Sequence, residues 1–240
     1  MEQRRTTREI VEHALLADPR IVQLVASLKL RALPVVDCDW RRVNSALKPF
    51  GPDAMPILCT DCPKGGAVGA ARAFFAETGA DRTTSCITVC ANRLRTAADV
   101  REALTHELVH AYDWHQRGAQ SLASCEGLAC SEVRAHREAE CAKYACLPIG
   151  ASFATNACVK RKATSATQVR RAPCSPAAPH PHPTRPTAIA QMRTLSLTLL
   201  TRTTQNMFPG AAGAACVQSV FARCMLDLAP LQAKGDAPTT

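Results

Sequence analysis

The stretch Thr105-His106-Glu107-Leu108-Val109-His110-Ala111-Tyr112-Asp113 constrains this chain more than any other. On a helix, residues four apart lie on one face, so His106 and His110 can both turn a ring nitrogen toward one metal ion. Glu107 is rotated by about 100° from His106, the angle of one helical residue, which sets its carboxylate beside the open side of that ion. The pattern is that of a metal-dependent hydrolytic site. Two imidazoles hold zinc, and a carboxylate takes a proton from the attacking water.

The sequence around the motif predicts the helix and its limits. Thr96-Ala97-Ala98-Asp99 reads as a capping box, with Thr96 at the N-cap and Asp99 three residues on. Val100, Leu104, Leu108 and Ala111 form an apolar stripe, and Gly118 is a natural stop. Asp113 falls on the histidine face, where it is expected to accept a hydrogen bond from an imidazole and orient it. A zinc ion with two histidines from one helix needs a third protein ligand, usually from a following helix. Glu132 lies 22 residues beyond His110, within reach of a turn and a returning helix, and is the first choice. His115 and His136 compete with it, and Glu132 could instead pair with Arg134.

A chain of 240 residues holds one domain with a real core, but only 4% of its residues are aromatic, so that core must be largely aliphatic. Thirteen cysteines point to an oxidising compartment or to several zinc sites. No apolar run reaches the roughly 18 to 20 residues that span a bilayer, which predicts a soluble or peripheral protein. The net charge of +9 is uneven: Cys141 to Leu226 contains ten Lys and Arg and no Asp or Glu. Such a region suits anionic lipid headgroups or simple solubility, and no nucleic-acid-binding module accompanies it.

Residues 1–54 read as an N-terminal helical segment, with Ile10, Val11, Ala14, Leu15, Ile21, Leu24, Val25 and Leu28 at helical spacing. Acids at Glu9, Glu12 and Asp18 interrupt any secretory signal, while Arg4, Arg5 and Arg8 leave a mitochondrial presequence open. Residues 55–171 form the catalytic domain. In it, Cys59-Thr60-Asp61-Cys62 with Cys86 and Cys90 fits either a structural zinc or disulfides. Residues 65–82 read as a loop-rich segment or a hairpin before a strand at 86–90, where a sheet edge beside the active-site helix can receive an extended peptide. Six prolines between Pro173 and Pro186 mark 172–213 as a disordered insert, in which His180 and His182 are solvated. Residues 214–240 supply a last helix, with Val217, Val220 and Phe221, and a tail.

The central motif, followed by Ala129-Cys130-Ser131-Glu132-Val133-Arg134-Ala135, resembles the mitochondrial inner-membrane metalloproteases that process and help assemble the ATP synthase membrane sector. The resemblance extends to Cys59-x-x-Cys62, Ile87-Thr88-Val89-Cys90-Ala91-Asn92, Glu140-Cys141, Cys158 to Ala163 and Val220-Phe221-x-x-Cys224. It implies an α+β, zincin-like metalloprotease domain, mostly helical with a small sheet and braced by disulfides. His106 and His110 would bind Zn2+, with Glu132 as the third ligand expected from its spacing, and Glu107 would be the catalytic base. The activity implied is removal of an N-terminal peptide from the ATP synthase subunit a (subunit 6) precursor, together with assistance to its assembly with the membrane-sector ring. A non-proteolytic assembly factor is the alternative. Peripheral contact with the inner membrane, on the intermembrane-space side, and import through that compartment's disulfide relay are implied as well. The chain departs from the family in lacking a Trp and a His near Leu122, Gly127 and Leu128. The stretch 172–213 is a second departure, and Cys86, Cys146 and Cys216 have no clear family counterparts.

Overall fold

A computed structural model describes residues 6–51, 53–65, 69–78, 84–169 and 208–231. Its chain order is α1 (Thr7–Ala17), α2 (Pro19–Leu28), β1 (Val35–Asp37), α3 (Val43–Leu47), β2 (Ile57–Thr60), β3 (Ala73–Thr78), β4 (Thr84–Cys90) and α4 (Ala97–Arg117). There follow α5 (Gln120–Ala123), α6 (Cys125–Glu138), α7 (Ala151–Thr167), the short strands β5 (Gln168–Val169) and β6 (Phe208–Pro209), and α8 (Gly210–Leu226). This is an α+β chain, mostly helical, with a small mixed sheet. Most of the Pro-rich stretch, with Cys174, His180 and His182, lies outside the described residues, as does the tail beyond Leu231.

The apolar N-terminal run is two helices because Asp18-Pro19 divides it. Asp18 accepts hydrogen bonds from the Arg20 and Ile21 backbone, and Pro19 fills the first helical position, where its missing N–H costs nothing. Thr6 and Glu9 form a capping box at the start of α1. Both helices belong to the central core: Val11, Ala14, Ile21, Leu24 and Leu28 are buried in one cluster with Leu104, Leu108 and Ala111 of α4.

The main sheet has the order β1-β2-β4-β3, with β1, β2 and β4 parallel and β3 antiparallel to β4 at the edge. Side chains alternate across it, as the two-residue period of a strand requires. Ile57, Cys59, Ala73, Phe75, Ile87 and Val89 face α1, α2 and α4. Leu58, Phe74, Ala76, Cys86 and Cys90 face the other way, toward Val43 and Trp40. That alternation decides the first cysteine question. Cys59 points into one layer and Cys62, Cys86 and Cys90 into the other, so the four thiols do not surround one point. Cys62 and Cys90 form a disulfide, while Cys59 and Cys86 are free thiols pushed up to about 12 by burial. A four-thiolate zinc is therefore replaced by one disulfide and two inert buried thiols.

A third layer packs α6 against α7 and α8, through Ala129, Val133, Val159, Ala163, Val217 and Val220. Three disulfides join it: Cys125–Cys216 and Cys130–Cys224 tie α6 to α8, and Cys141–Cys158 ties the turn after α6 to α7. At the head of α6, Ser124 caps the helix by accepting from the Gly127 backbone N–H. A Cβ on Gly127 would lie 2.0 Å from the Ser121 carbonyl oxygen, a backbone atom with no room to retreat. Gly127→Ala is therefore expected to destabilise the disulfide-intact protein by about 1–3 kcal/mol despite the better helix propensity of alanine. Urea unfolding of both proteins measures this, and an unchanged or raised midpoint would contradict the packing described.

Candidate metal centre

The site is built where α4 crosses α6. The predicted capping box opens α4: Thr96 accepts from the Asp99 N–H, and Asp99 accepts from the Thr96 N–H. Gly118 closes it at φ 81°. Between these ends Val100, Leu104, Leu108 and Ala111 are buried against the sheet side, and His106, Glu107, His110 and Asp113 are buried as well. A helix that buries so many polar groups needs partners for each, and α6 supplies most of them.

His106 and His110 bring their Nε2 atoms to 3.1 Å from one another. Glu132, fully buried on α6, sets Oε2 at 3.5 Å from His106 Nε2 and Oε1 at 3.6 Å from His110 Nε2. Neither oxygen of Glu132 has a hydrogen-bonding partner among the described residues. Two buried carboxylate oxygens left bare beside clustered imidazoles are costly unless a cation lies among them. The donor set, imidazole and carboxylate, suits a divalent transition metal. His106, Glu132 and His136 present ligand atoms that all lie within 4.8 Å of one another.

The second ring nitrogens are held in place. His110 Nδ1 lies 2.7 Å from Ser131 Oγ. Asp113 does not meet the imidazole, where Ser131 stands instead, contrary to the sequence expectation. Its own partner is Arg134, at 2.6 Å, which also grips Asp227 at 2.9 Å. Arg134 is therefore not the ion-pair partner of Glu132. His106 Nδ1 faces Glu140 Oε2 at 3.2 Å. Nδ1–H bonds of this kind leave the Nε2 lone pairs pointing at the centre.

A cavity of about 100 Å³ opens on the site, lined by Arg72, Ala73, His106, Glu107, Glu132 and His136 among others. Glu107 enters it from α4, and its Oε2 accepts a 2.8 Å hydrogen bond from the Phe75 N–H on edge strand β3. Burial raises the Glu107 carboxyl to about 7, although the charge of His106 opposes the shift. Burial also lowers His110 to about 3. For His106 burial acts in the same direction, but Glu140 and Glu132 outweigh it and hold the ring well above the usual histidine value. Glu132 and Glu140 both lie below the usual carboxylate range despite burial, Glu132 because of His110 and His106, Glu140 because of His106 and His136.

The structure thus gathers His106, His110 and Glu132, with Glu107 and the competing candidate His136 beside them. His115 is elsewhere: its Nε2 bonds Ser85 Oγ at 3.1 Å. Sequence reasoning missed Glu140, which stands four residues after His136 but in the turn beyond α6, where helical spacing does not show which way it faces. Ser131→Ala should lower affinity for a divalent ion by roughly 10–100-fold, because it frees the His110 ring to rotate. Competition with a chelator measures this; wild-type affinity would show that Ser131 has no orienting role.

The Peptidase M76 family profile matches residues 22–179. The mitochondrial inner membrane protease ATP23 homolog of Mus musculus is 40% identical over 57 residues, covering 24% of this chain and 28% of the relative. The Homo sapiens protein of the same name is 40% identical over 57 residues, covering 24% and 23%. Mitochondrial inner membrane protease atp23 of Botryotinia fuckeliana is 36% identical over 121 residues, covering 41% and 46%. The chain therefore spans about a quarter of the mammalian relatives and under half of the fungal one. No solved structure matches it.

Proposed function

The chain belongs to the Peptidase M76 family, and from that premise we propose that it is a zinc metalloendopeptidase with a zincin-like site. The observation that carries the reading is the convergence of His106, His110 and Glu132 on one point, with Glu107 lining the cavity that opens there. In this reading these three residues hold Zn2+, which supplies Lewis acidity toward a peptide carbonyl.

The remaining work falls to the protein's own groups. Glu107 Oε2 is engaged by the Phe75 N–H, so Oε1 is the oxygen that takes the proton of the attacking water and returns it to the leaving amine. The substrate backbone lies along the β3 edge as an added strand, which sets its scissile bond beside Glu107.

The similarity to inner membrane proteases supports a place on the mitochondrial inner membrane. No helix of the described residues is long and apolar enough to cross a membrane. We assign the protein a peripheral position on the intermembrane-space side, where four disulfides can form through the disulfide relay. The substrate proposed is the N-terminal segment of the ATP synthase subunit a (subunit 6) precursor, with assistance to assembly of the membrane-sector ring as a second task. Glu107→Gln is expected to keep the fold and the bound zinc while losing cleavage of that precursor segment by at least about 100-fold. Cleavage at the wild-type rate would refute the assignment of the base. Zinc-loaded wild type that cleaves nothing, with assembly restored by Glu107→Gln, would instead establish a non-proteolytic assembly factor.

A further inference from the structure

We propose that the tip formed by Leu147, Ile149 and Phe153 is the face by which this protein docks on an anionic lipid bilayer. Its apolar side chains enter the interface, and the cations of α7 meet the headgroups. The inference rests on the reading of a peripheral position at a membrane and deepens it by naming the surface that makes the contact.

Exposure carries the first part of the argument. The stretch 145–150, between the turn Ala142–Tyr144 and α7, is exposed throughout, and so is Phe153 on the first turn of α7. Ile149 is 90% exposed, Phe153 81% and Leu147 42%. One such side chain alone is ordinary; three at a single tip make an apolar patch, which marks a contact surface. Other exposed leucines lie near acids in the chain, Leu16 near Asp18 and Leu226 next to Asp227. The tip does not. No Asp or Glu occurs from Cys141 to Leu226. The acids just before that stretch are buried and engaged, Glu138 by Arg137 and Glu140 by His106 and His136.

Charge decides what covers the patch. Lys143 is exposed on one side of it, and Lys160 and Arg161 are exposed on α7. At spacings of three and four residues, Phe153, Ala157, Lys160 and Arg161 lie on one face of that helix. The apolar and basic ends of this face therefore meet one surface together. A bilayer with anionic headgroups offers what both ends need, hydrocarbon below and negative charge above.

The tip is held before it docks, so little order has to be imposed on contact. Cys141–Cys158 clamps the turn to α7, and the Leu147 N–H donates to the Tyr144 carbonyl at 3.2 Å. α7 then runs from the tip to the metal centre, where Ala166 lines the cavity. Phe153 and Ala166 are about 20 Å apart along the helix at 1.5 Å per residue. Docking through the tip keeps the cavity near the bilayer, within reach of a substrate segment that emerges from it.

The test uses the full-length, disulfide-intact chain and large vesicles, of phosphatidylcholine alone or mixed in equal parts with phosphatidylglycerol. Cosedimentation measures the partition coefficient at low and high salt. Wild type should bind the anionic vesicles at least roughly tenfold better than the neutral ones, and added salt should weaken that binding. Ile149→Ser combined with Phe153→Ser should lose roughly tenfold or more on anionic vesicles. Lys160→Gln combined with Arg161→Gln should lose about as much and flatten the salt dependence. Leu16→Ser, at an exposed leucine of α1, should bind as wild type does. Wild-type partition in both double variants would overturn the tip as the docking face while leaving a peripheral position intact. A wild type that binds neither kind of vesicle would overturn both, the outcome expected of a tip that docks on protein. Zinc content is measured alongside: a chain that docks through the tip but holds no zinc would refute the metalloprotease reading and leave the docking face standing.

Discussion

Burial of the His106–Asp113 face of α4 is the constraint on which the rest of this structure depends. Desolvation penalises every charged form on that face, and an uncompensated buried charge costs several kcal/mol. Compensation arrives from four directions. Glu140 and Glu132 come from α6 and the turn after it, Ser131 bonds the His110 ring, Arg134 neutralises Asp113, and the β3 backbone meets Glu107. Remove the polar face and α6 would have no reason to carry Ser131, Glu132 and Arg134 inward on a helix that otherwise packs through Ala129 and Val133.

A core with few aromatic side chains needs other means to fix α6 against α4, and covalent ones are present. Cys125–Cys216 and Cys130–Cys224 close loops of 91 and 94 residues, long enough for each to remove several kcal/mol of chain entropy from the unfolded state in the loop-closure picture. Both bonds anchor α6 to α8, and Arg134 and Arg137 reach from α6 to Asp227 and the α8 carbonyls of Cys224 and Met225. The helix carrying Glu132 is thus held from behind by bonds that do not touch the site.

Local features were legible in the sequence and long-range ones were not, for a physical reason. The α4 helix was announced by Thr96, Asp99, the apolar period and Gly118, all properties of neighbours in the chain. The strand around Ile87 and the returning helix at Glu132 could be read in the same way. Disulfide partners could not, because spacing does not say which strand face a cysteine occupies; Cys59 and Cys62 look like a pair and lie in opposite layers. Asp113 shows the same limit. Its place on the buried face of α4 was correct, but the helix period cannot reveal that the His110 ring meets Ser131 of α6 and not Asp113.

Glu107 is where the two architectural layers meet. Its carboxylate belongs to α4, yet one oxygen is fixed by the Phe75 N–H of β3, the strand at the edge of the sheet. Successive backbone groups of an edge strand point alternately inward to the ladder and outward, and Phe75 is an outward position, between Phe74 paired with Thr88 and Ala76 paired with Cys86. The outward N–H that an added strand would otherwise bond is therefore spent on the carboxylate. A peptide docked on this edge must begin its pairing on either side of Phe75, so its backbone skips a rung where Glu107 stands. The same hydrogen bond that fixes the carboxylate thus also sets the register of anything extended that lies along β3.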